Sequence, residues 1–174
     1  MKKILVGLLL TLPLFAINLE LKSGSVAAHT EMMMDSTIDP KNDALKADIS
    51  INNNDIATIK GKFWVETGLF KSDKSDRDKS MYKDIEADKF KLATYTVSSV
   101  KKADGQDSYI IDGVLNFHGK EKQLSAKAKI TTIDGSLSIN AASMILMSDY
   151  GIKMPCMVFM CVRDRVDLLI DAKF

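Results

Sequence analysis

The residues best suited to chemistry lie together in the segment 154–161, which reads MPCMVFMC. Thiolates and thioethers are the ligands that Cu(I) prefers, so one hypothesis for this segment is a soft-metal site. Its candidate ligands are Met154, Cys156, Met157, Met160 and Cys161. His29 and the three methionines at 32–34 are further candidates, although adjacent methionines in a strand do not all face one ion.

A disulfide between Cys156 and Cys161 is the second hypothesis for this segment. Side chains five positions apart face opposite sides of a regular strand, so the bridge requires a turn between them, which Pro155 favours. The third hypothesis is that the sulfur-containing side chains serve only as flexible apolar groups around an opening. The residues alone are compatible with all three.

The remaining polar residues do not form a catalytic set. His118 has no serine, cysteine or aspartate nearby in the sequence to complete a nucleophile–base arrangement. Arg77 and Asp78 either orient the polar end of a ligand or tie a loop to a helix, and the SDYG sequence at 148–151 is expected to fix a turn. Phosphate-binding glycine loops, zinc-protease helices, nucleophile elbows and haem-attachment motifs do not occur in the sequence. We therefore do not predict an enzyme.

Composition and charge indicate one globular domain. Of the 174 residues, 46% are hydrophobic and 27% are charged. Because 24 basic residues balance 23 acidic residues, the chain lacks the positive excess with which proteins bind nucleic acid phosphates.

The first 16 residues have the layout of a secretory signal peptide. Lys2 and Lys3 precede an uncharged apolar run at 4–16, which is shorter than the roughly 20 residues of a transmembrane helix. Cleavage after Ala16 leaves a domain at 17–174 with no permanent membrane span. We expect a periplasmic protein, and an oxidising compartment favours the disulfide over the other two hypotheses.

Apolar and polar residues alternate along most of the chain, which predicts half-buried strands. The predicted strands lie at 47–51, 63–70, 93–98, 111–118, 124–131, 137–147 and 166–174. Hairpin turns are expected at 52–55, 103–105 and 134–135, and one short helix at 80–87 with Asp78 and Ser80 as helix caps. Long antiparallel strands in so short a chain predict an all-β fold, an antiparallel barrel of about eight strands.

Small residues on the inward face leave the state of the barrel interior open. Ala126, Ala128, Ala141 and Gly113 are interspersed among larger inward residues. The pattern is equally compatible with a solid core and with an apolar cavity.

Three sequence blocks, in order, resemble the YceI-like proteins, exported bacterial lipocalin-like barrels. They are GKFWV at 61–65 leading to FKSD at 70–73 and RD at 77–78, YIIDGVLNFHG at 109–119, and SDYGI at 148–152. The resemblance covers about 22–174, with Met147 at a position where the family usually has arginine.

The resemblance implies a lipocalin-like barrel whose long apolar interior binds one long-chain amphiphile, such as a polyisoprenoid, an isoprenoid quinone, or a fatty acid or amide. No cofactor other than this lipid is implied. The residues expected to line the tunnel are Phe63, Val65, Leu69, Tyr95, Leu115, Phe117, Leu124, Ile139, Ile145, Leu168 and Ile170. A carrier of such a lipid is the leading hypothesis, and a Cu(I)-buffering or redox-partner protein using 154–161 is the alternative. A homodimer is compatible with the sequence.

Overall fold

The computed structural model describes residues 16–32, 36–157 and 160–174. Its elements are strands β1 (Ala16–Leu19), β2 (Ser23–Met32), β3 (Ser36–Ile38), β4 (Lys41–Asn42), β5 (Lys46–Asn52), β6 (Asp55–Glu66), β7 (Leu92–Lys102), β8 (Ser108–Phe117), β9 (Lys120–Ile133), β10 (Ser136–Leu146), β11 (Cys156–Met157), β12 (Met160–Cys161) and β13 (Arg165–Lys173), the helix α1 (Ser75–Asp84), and the 3-10 turns Thr67–Leu69 and Met147–Tyr150. The predicted signal peptide falls almost entirely outside the described residues.

The long strands form one strongly curled antiparallel sheet. Neighbouring strands follow the order β5, β6, β7, β8, β9, β10, β13 and β2. The first stretch of chain contacts both ends of this strand order, because β1 pairs with β5 through Leu19 and Ile49 while β2 pairs with β13 through Val26 and Ile170. Val26 pairs on its other side with Asn42 of β4. The predicted antiparallel barrel of about eight strands is therefore confirmed.

Tight turns with left-handed residues join β5 to β6 and β9 to β10. Between β5 and β6, Asn53 and Asn54 have φ of 50° and 58°, and between β9 and β10, Asp134 and Gly135 have φ of 49° and 77°. Two successive positive φ angles match the right-handed twist of antiparallel strands, which is why asparagine, aspartate and glycine occupy these turns. These two predicted hairpins are confirmed.

The position of the helix differs from the prediction. It spans Ser75–Asp84, not 80–87, so Asp78 and Ser80 lie inside it and not at its cap. The Asp78 carboxylate is buried and accepts hydrogen bonds from the Ser72 main-chain N–H at 2.9 Å and the Ser72 hydroxyl at 2.6 Å. Asp78 thus ties the preceding loop to the helix. No helix among the described residues is long and apolar enough to cross a membrane.

Buried side chains form two clusters, one in each half of the barrel. The first fills the half that holds the β5–β6 and β9–β10 turns, with Ile49, Ile59 and Ile130 each at most 2% exposed. The second lies in the half that α1 covers and includes Leu115 and Ile145. The two halves differ in whether their side chains meet across the barrel.

Candidate functional site

The half of the barrel nearest α1 is hollow. It contains a cavity of about 460 Å³, within the range of small-molecule sites. Its wall is formed by inward residues of β2, β6, β7, β8, β9, β10 and β13. The exposed lining residues Ser80, Asp84 and Pro155 mark the mouth at the α1 end.

The structure brings together nearly all the residues predicted to line a tunnel. The predicted residues that line the cavity are Phe63, Val65, Tyr95, Leu115, Phe117, Leu124, Ile139, Ile145, Leu168 and Ile170. The prediction is wrong for Leu69, because β6 ends at Glu66 and Leu69 lies in a 3-10 turn, 42% exposed and outside the cavity. The predicted strand at 63–70 therefore continues four residues too far.

The cavity ends on a packed floor. Phe63 lines the cavity on one side and meets Phe174 edge-on on the other, with ring centroids 6.4 Å apart. Behind this floor lie buried residues that do not line the cavity, among them Ile49, Ile130 and Leu137. The interior is thus hollow at the mouth and solid at the opposite end.

The Tyr95 side chain packs over Gly113 in the cavity wall. A Cβ at Gly113 would lie 2.5 Å from the Tyr95 ring and 2.4 Å from the Thr96 carbonyl oxygen, so only glycine fits there. The Tyr95 hydroxyl lies 2.9 Å from the Leu124 carbonyl oxygen and 3.0 Å from that of Ile111. Burial raises the pKa of this phenol, so it stays protonated and donates to the main chain.

Three inward hydroxyls donate to main-chain carbonyl oxygens near the ends of strand pairings. Thr30 donates to the Arg165 carbonyl oxygen at 2.8 Å, just beyond the last β2–β13 pair. Ser143 donates to the Ser125 carbonyl oxygen at 2.8 Å, just beyond the last β9–β10 pair. Thr67 donates to the Phe90 carbonyl oxygen at 2.8 Å where β6 ends and β7 begins, and its own N–H donates to the Lys91 carbonyl oxygen at 2.9 Å.

These hydrogen bonds also determine how polar the cavity is towards a ligand. The hydroxyl protons of Thr30, Thr67, Ser143 and Tyr95 are all used by main-chain acceptors. A buried polar group that is already hydrogen-bonded does not need a ligand partner. The cavity wall below the mouth therefore suits a hydrocarbon.

The only charged residues among the described cavity lining lie on α1. Arg77, Ser80, Met81, Asp84 and Ile85 line the mouth and follow the i, i+3, i+4, i+7, i+8 spacing of one helix face. Desolvation raises the pKa of the Asp84 carboxyl above its ordinary value. The sequence prediction missed this face because it placed the helix five residues too late, although the spacing itself is visible in the sequence.

Arg77 is held in place at the mouth. Its guanidinium donates to the Thr37 carbonyl oxygen at 3.2 Å and to the Asp73 carboxylate at 3.3 Å. The side chain is 23% exposed. The guanidinium has five N–H donors, so these contacts leave it able to bind the polar end of a ligand.

The segment proposed as a metal site contains a disulfide between Cys156 and Cys161. The two cysteines face each other across the short β11–β12 pair, so neither sulfur is a thiolate ligand in this state. Met154 lines the cavity mouth, whereas the side chains of Met157 and Met160, and Met33 and Met34, lie outside the described part of the chain. His29 is hydrogen-bonded to Asp39. No cluster of three or more metal-binding histidine, cysteine or acidic side chains occurs among the described residues.

His118 has a structural position next to the mouth. Its Nδ1 lies 2.9 Å from the Tyr150 carbonyl oxygen and its Nε2 lies 3.0 Å from the Glu86 carboxylate. The ring also stacks at 4.3 Å from Phe90. These contacts connect the β8–β9 turn to the chain that follows α1 and to the 3-10 turn that ends at Tyr150.

The SDYG sequence fixes a turn, as predicted. Ser148 forms hydrogen bonds to the Asp164 carboxylate through its N–H, at 2.7 Å, and through its hydroxyl, at 2.5 Å. Gly151 closes the turn in a left-handed conformation with φ of 77°.

Solved structures share this fold. BcnA of Burkholderia cenocepacia superposes with a TM-score of 0.76 at 15% identity, over 87% of this chain and 96% of that one. A polyisoprenoid binding domain from Saccharophagus degradans gives 0.66 at 12% identity, over 92% and 98%. The YCEI protein of Campylobacter jejuni gives 0.61 at 17% identity, over 83% of each chain. At these identities the likeness shows the fold alone.

Sequence comparison supplies the family. No curated protein matches the chain. The sequence profile of the YceI-like domain matches residues 18–174, which include every strand and residue that forms the cavity. The chain therefore belongs to the YceI-like domain family.

Proposed function

We propose that the protein binds one long-chain amphiphile, with the hydrocarbon in the cavity and the polar end at α1. The observation that carries this proposal is a hollow half-barrel whose deep polar groups are all satisfied by the main chain. Each buried methylene contributes about 0.8 kcal/mol, so a tail binds there without directional contacts. The polyisoprenoid binding domain with the same fold supports the same class of ligand.

Export and carriage are part of this proposal. The basic and apolar layout of 1–16 supports secretion to the periplasm, and a disulfide is stable in such a compartment. In the aqueous space between two membranes a hydrocarbon tail is poorly soluble, and an apolar cavity with one mouth keeps the tail out of water. We propose a carrier or scavenger, acting by binding and not by catalysis.

Native mass spectrometry of protein purified from cells tests the proposal. We expect a second mass, heavier by one lipid, which disappears on delipidation and returns on titration with a long-chain lipid. The proposal would be contradicted if only the mass of the bare protein appears and if titration with fatty acids, fatty amides or isoprenoid quinones shows no saturable binding.

A pair of adjacent substitutions provides the control. Ala126 is buried and lines the cavity, whereas Lys127 beside it on β9 is exposed. Ala126→Trp fills the cavity and is expected to abolish lipid uptake, while Lys127→Trp leaves uptake unchanged. Circular dichroism and thermal unfolding of both variants separate a blocked cavity from a lost fold.

A further inference from the structure

We infer that Asp84 sets the charge preference at the mouth, so that a head group with an ammonium or another N–H donor binds there in preference to an anionic one. This inference rests on the proposed function, because it specifies the polar end of the ligand of the same cavity. It is carried by the position of Asp84 on α1 and by the balance of charge around the mouth.

Asp84 and Arg77 lie at opposite ends of the helix face that lines the mouth. Asp84 is the last residue of α1, and Arg77 lies near its start. Seven residues at a rise of 1.5 Å separate the two by about 10 Å along the helix axis. A small head group therefore contacts one of these two side chains and not both.

The two charges differ in whether they already have a partner. The Arg77 guanidinium lies 3.3 Å from the Asp73 carboxylate, so its charge is balanced within the protein. Among the residues that the structure describes, none forms an ion pair or a side-chain hydrogen bond with Asp84, and its neighbour Lys83 acts on it only through longer-range attraction. Asp84 is thus the charged lining residue that gains most from a cationic ligand.

The position of Asp84 is unfavourable for the helix itself. Asp76 and Asp78 lie in the first turn of α1, where the partial positive charge of a helix N-terminus stabilises acidic side chains. Asp84 lies at the other end, where the aligned peptide dipoles leave partial negative charge. This partial charge adds to the attraction for a cation. A residue that breaks a local rule of its element without a compensating contact is typical of a functional position.

Incomplete hydration of the carboxylate adds to the preference. Desolvation raises the pKa of the Asp84 carboxyl, which means that its ionised form is hydrated less well than in water. A charge-assisted hydrogen bond from a ligand restores what the carboxylate has lost. An amine whose alkyl chain lies in the cavity holds its N–H groups at the level of α1, within reach of this side chain.

Three ligands with the same alkyl chain test the inference: dodecylamine, dodecanoic acid and dodecanol. Each is titrated calorimetrically into delipidated protein at about pH 8, where the amine is protonated and carboxyl groups are ionised. We expect dodecylamine to bind more tightly than dodecanoic acid. Asp84→Asn should weaken dodecylamine binding about fivefold and leave dodecanol binding unchanged.

Asp76 provides the matched control on the same helix. Its side chain is 92% exposed, pairs with Lys79 and does not line the cavity. Asp76→Asn changes the charge of the protein by the same amount and should leave the affinities for all three ligands unchanged. Asp84→Glu keeps the charge and should retain the preference for the amine.

Thermal unfolding separates a role in binding from a role in the helix. Because Asp84 lies at the helix C-terminus without an ion pair, Asp84→Asn should unfold at the same temperature as the unsubstituted protein or at a higher one. A lower unfolding temperature would mean that the carboxylate stabilises α1, and this result would overturn the inference.

The binding outcomes distinguish this inference from the proposed function. In Asp84→Asn, an unchanged affinity for the amine or equal losses for the amine and the alcohol would overturn the role of Asp84 and leave the binding function intact. The same loss in Asp76→Asn, or tighter binding of the acid than of the amine by the unsubstituted protein, would overturn it too. Failure of all three ligands to bind the unsubstituted protein would overturn the proposed function as well.

Discussion

The hydroxyl of Ser143 donates to the carbonyl oxygen of Ser125 at 2.8 Å, one residue beyond the last β9–β10 ladder pair. The Ser143 side chain points into the cavity and thus links the two strands where the main-chain pairing has ended. Thr30 does the same beyond the last β2–β13 pair. The polar residues inside this apolar cavity are therefore hydrogen-bonded before any ligand arrives.

Removal of the Ser143 hydroxyl should destabilise the protein. Ser143→Ala leaves the Ser125 carbonyl oxygen without this donor, and we expect the free energy of unfolding to fall by about 1 kcal/mol. Urea unfolding measures this change. Ser98 on β7 is exposed, so Ser98→Ala should change stability by less than about 0.5 kcal/mol. Equal effects of the two substitutions would refute the bridging role.

Adding a methyl group at Gly113 should destabilise the protein far more than adding one at Gly68. Its Cβ would lie 2.4 Å from the Thr96 carbonyl oxygen, whereas a Cβ at Gly68 meets nothing within 4 Å. We expect Gly113→Ala to lower the free energy of unfolding by more than about 2 kcal/mol. Gly68→Ala should stay close to the unsubstituted protein in the same thermal unfolding experiment. A tolerated Gly113→Ala would show that Tyr95 does not pack over this position.

The pair formed by His29 and Asp39 should make stability depend on pH. Its hydrogen bond raises the pKa of His29 above 6.5 and lowers that of Asp39 below 3.8. The histidine contribution is full below pH 6.5 and is lost as pH rises through the raised pKa. The aspartate contribution is full above pH 3.8 and is lost as pH falls through the lowered pKa.

The comparison of the unsubstituted protein with His29→Gln tests this pH dependence. The difference in free energy of unfolding should be largest near about pH 5.5 and smaller near about pH 8.5. Asp39→Asn removes the partner and should show the same trend. A difference that is constant across this range would mean that the pair does not titrate as described.

Removal of the disulfide should loosen the rim without emptying the cavity. Cys156 and Cys161 close a loop of only a few residues, and Met154 and Val162 flank it on the cavity lining. The chain-entropy model gives about 2 kcal/mol for so short a loop. We expect the Cys156→Ser, Cys161→Ser variant to lose up to that amount and to release lipid faster. If a stopped-flow transfer assay shows an unchanged rate of lipid release, the disulfide loop does not control passage through the mouth.

Arg77 should select the polar end of the ligand. Arg77→Gln removes the only positive charge among the described lining residues, so fatty acid binding should weaken about tenfold. Binding of a fatty alcohol of equal length should change little, because it carries no charge. Equal losses for acid and alcohol would indicate that Arg77 acts only through its contacts with Thr37 and Asp73.

The amino-acid sequence by itself indicated the long strands of the barrel other than β2, two of the hairpins that join them, and the face that side chains take within those strands. Alternation along β9 predicts that Ala126 and Ala128 point inward, because neighbouring side chains in a strand face opposite ways. Asn53, Asn54, Asp134 and Gly135 mark the turns, since these residue types tolerate positive φ.

Only the tertiary structure decided that the interior is hollow, and where. Alternation reports the face of a residue but not the distance to the strand opposite, and that distance sets the volume. The interior is hollow near the mouth, where Thr30, Thr67 and Ser143 bond to main-chain carbonyl oxygens, and packed where Phe63 meets Phe174. These partners are distant in the chain, up to 135 residues apart for Thr30 and Arg165, so no local pattern records them.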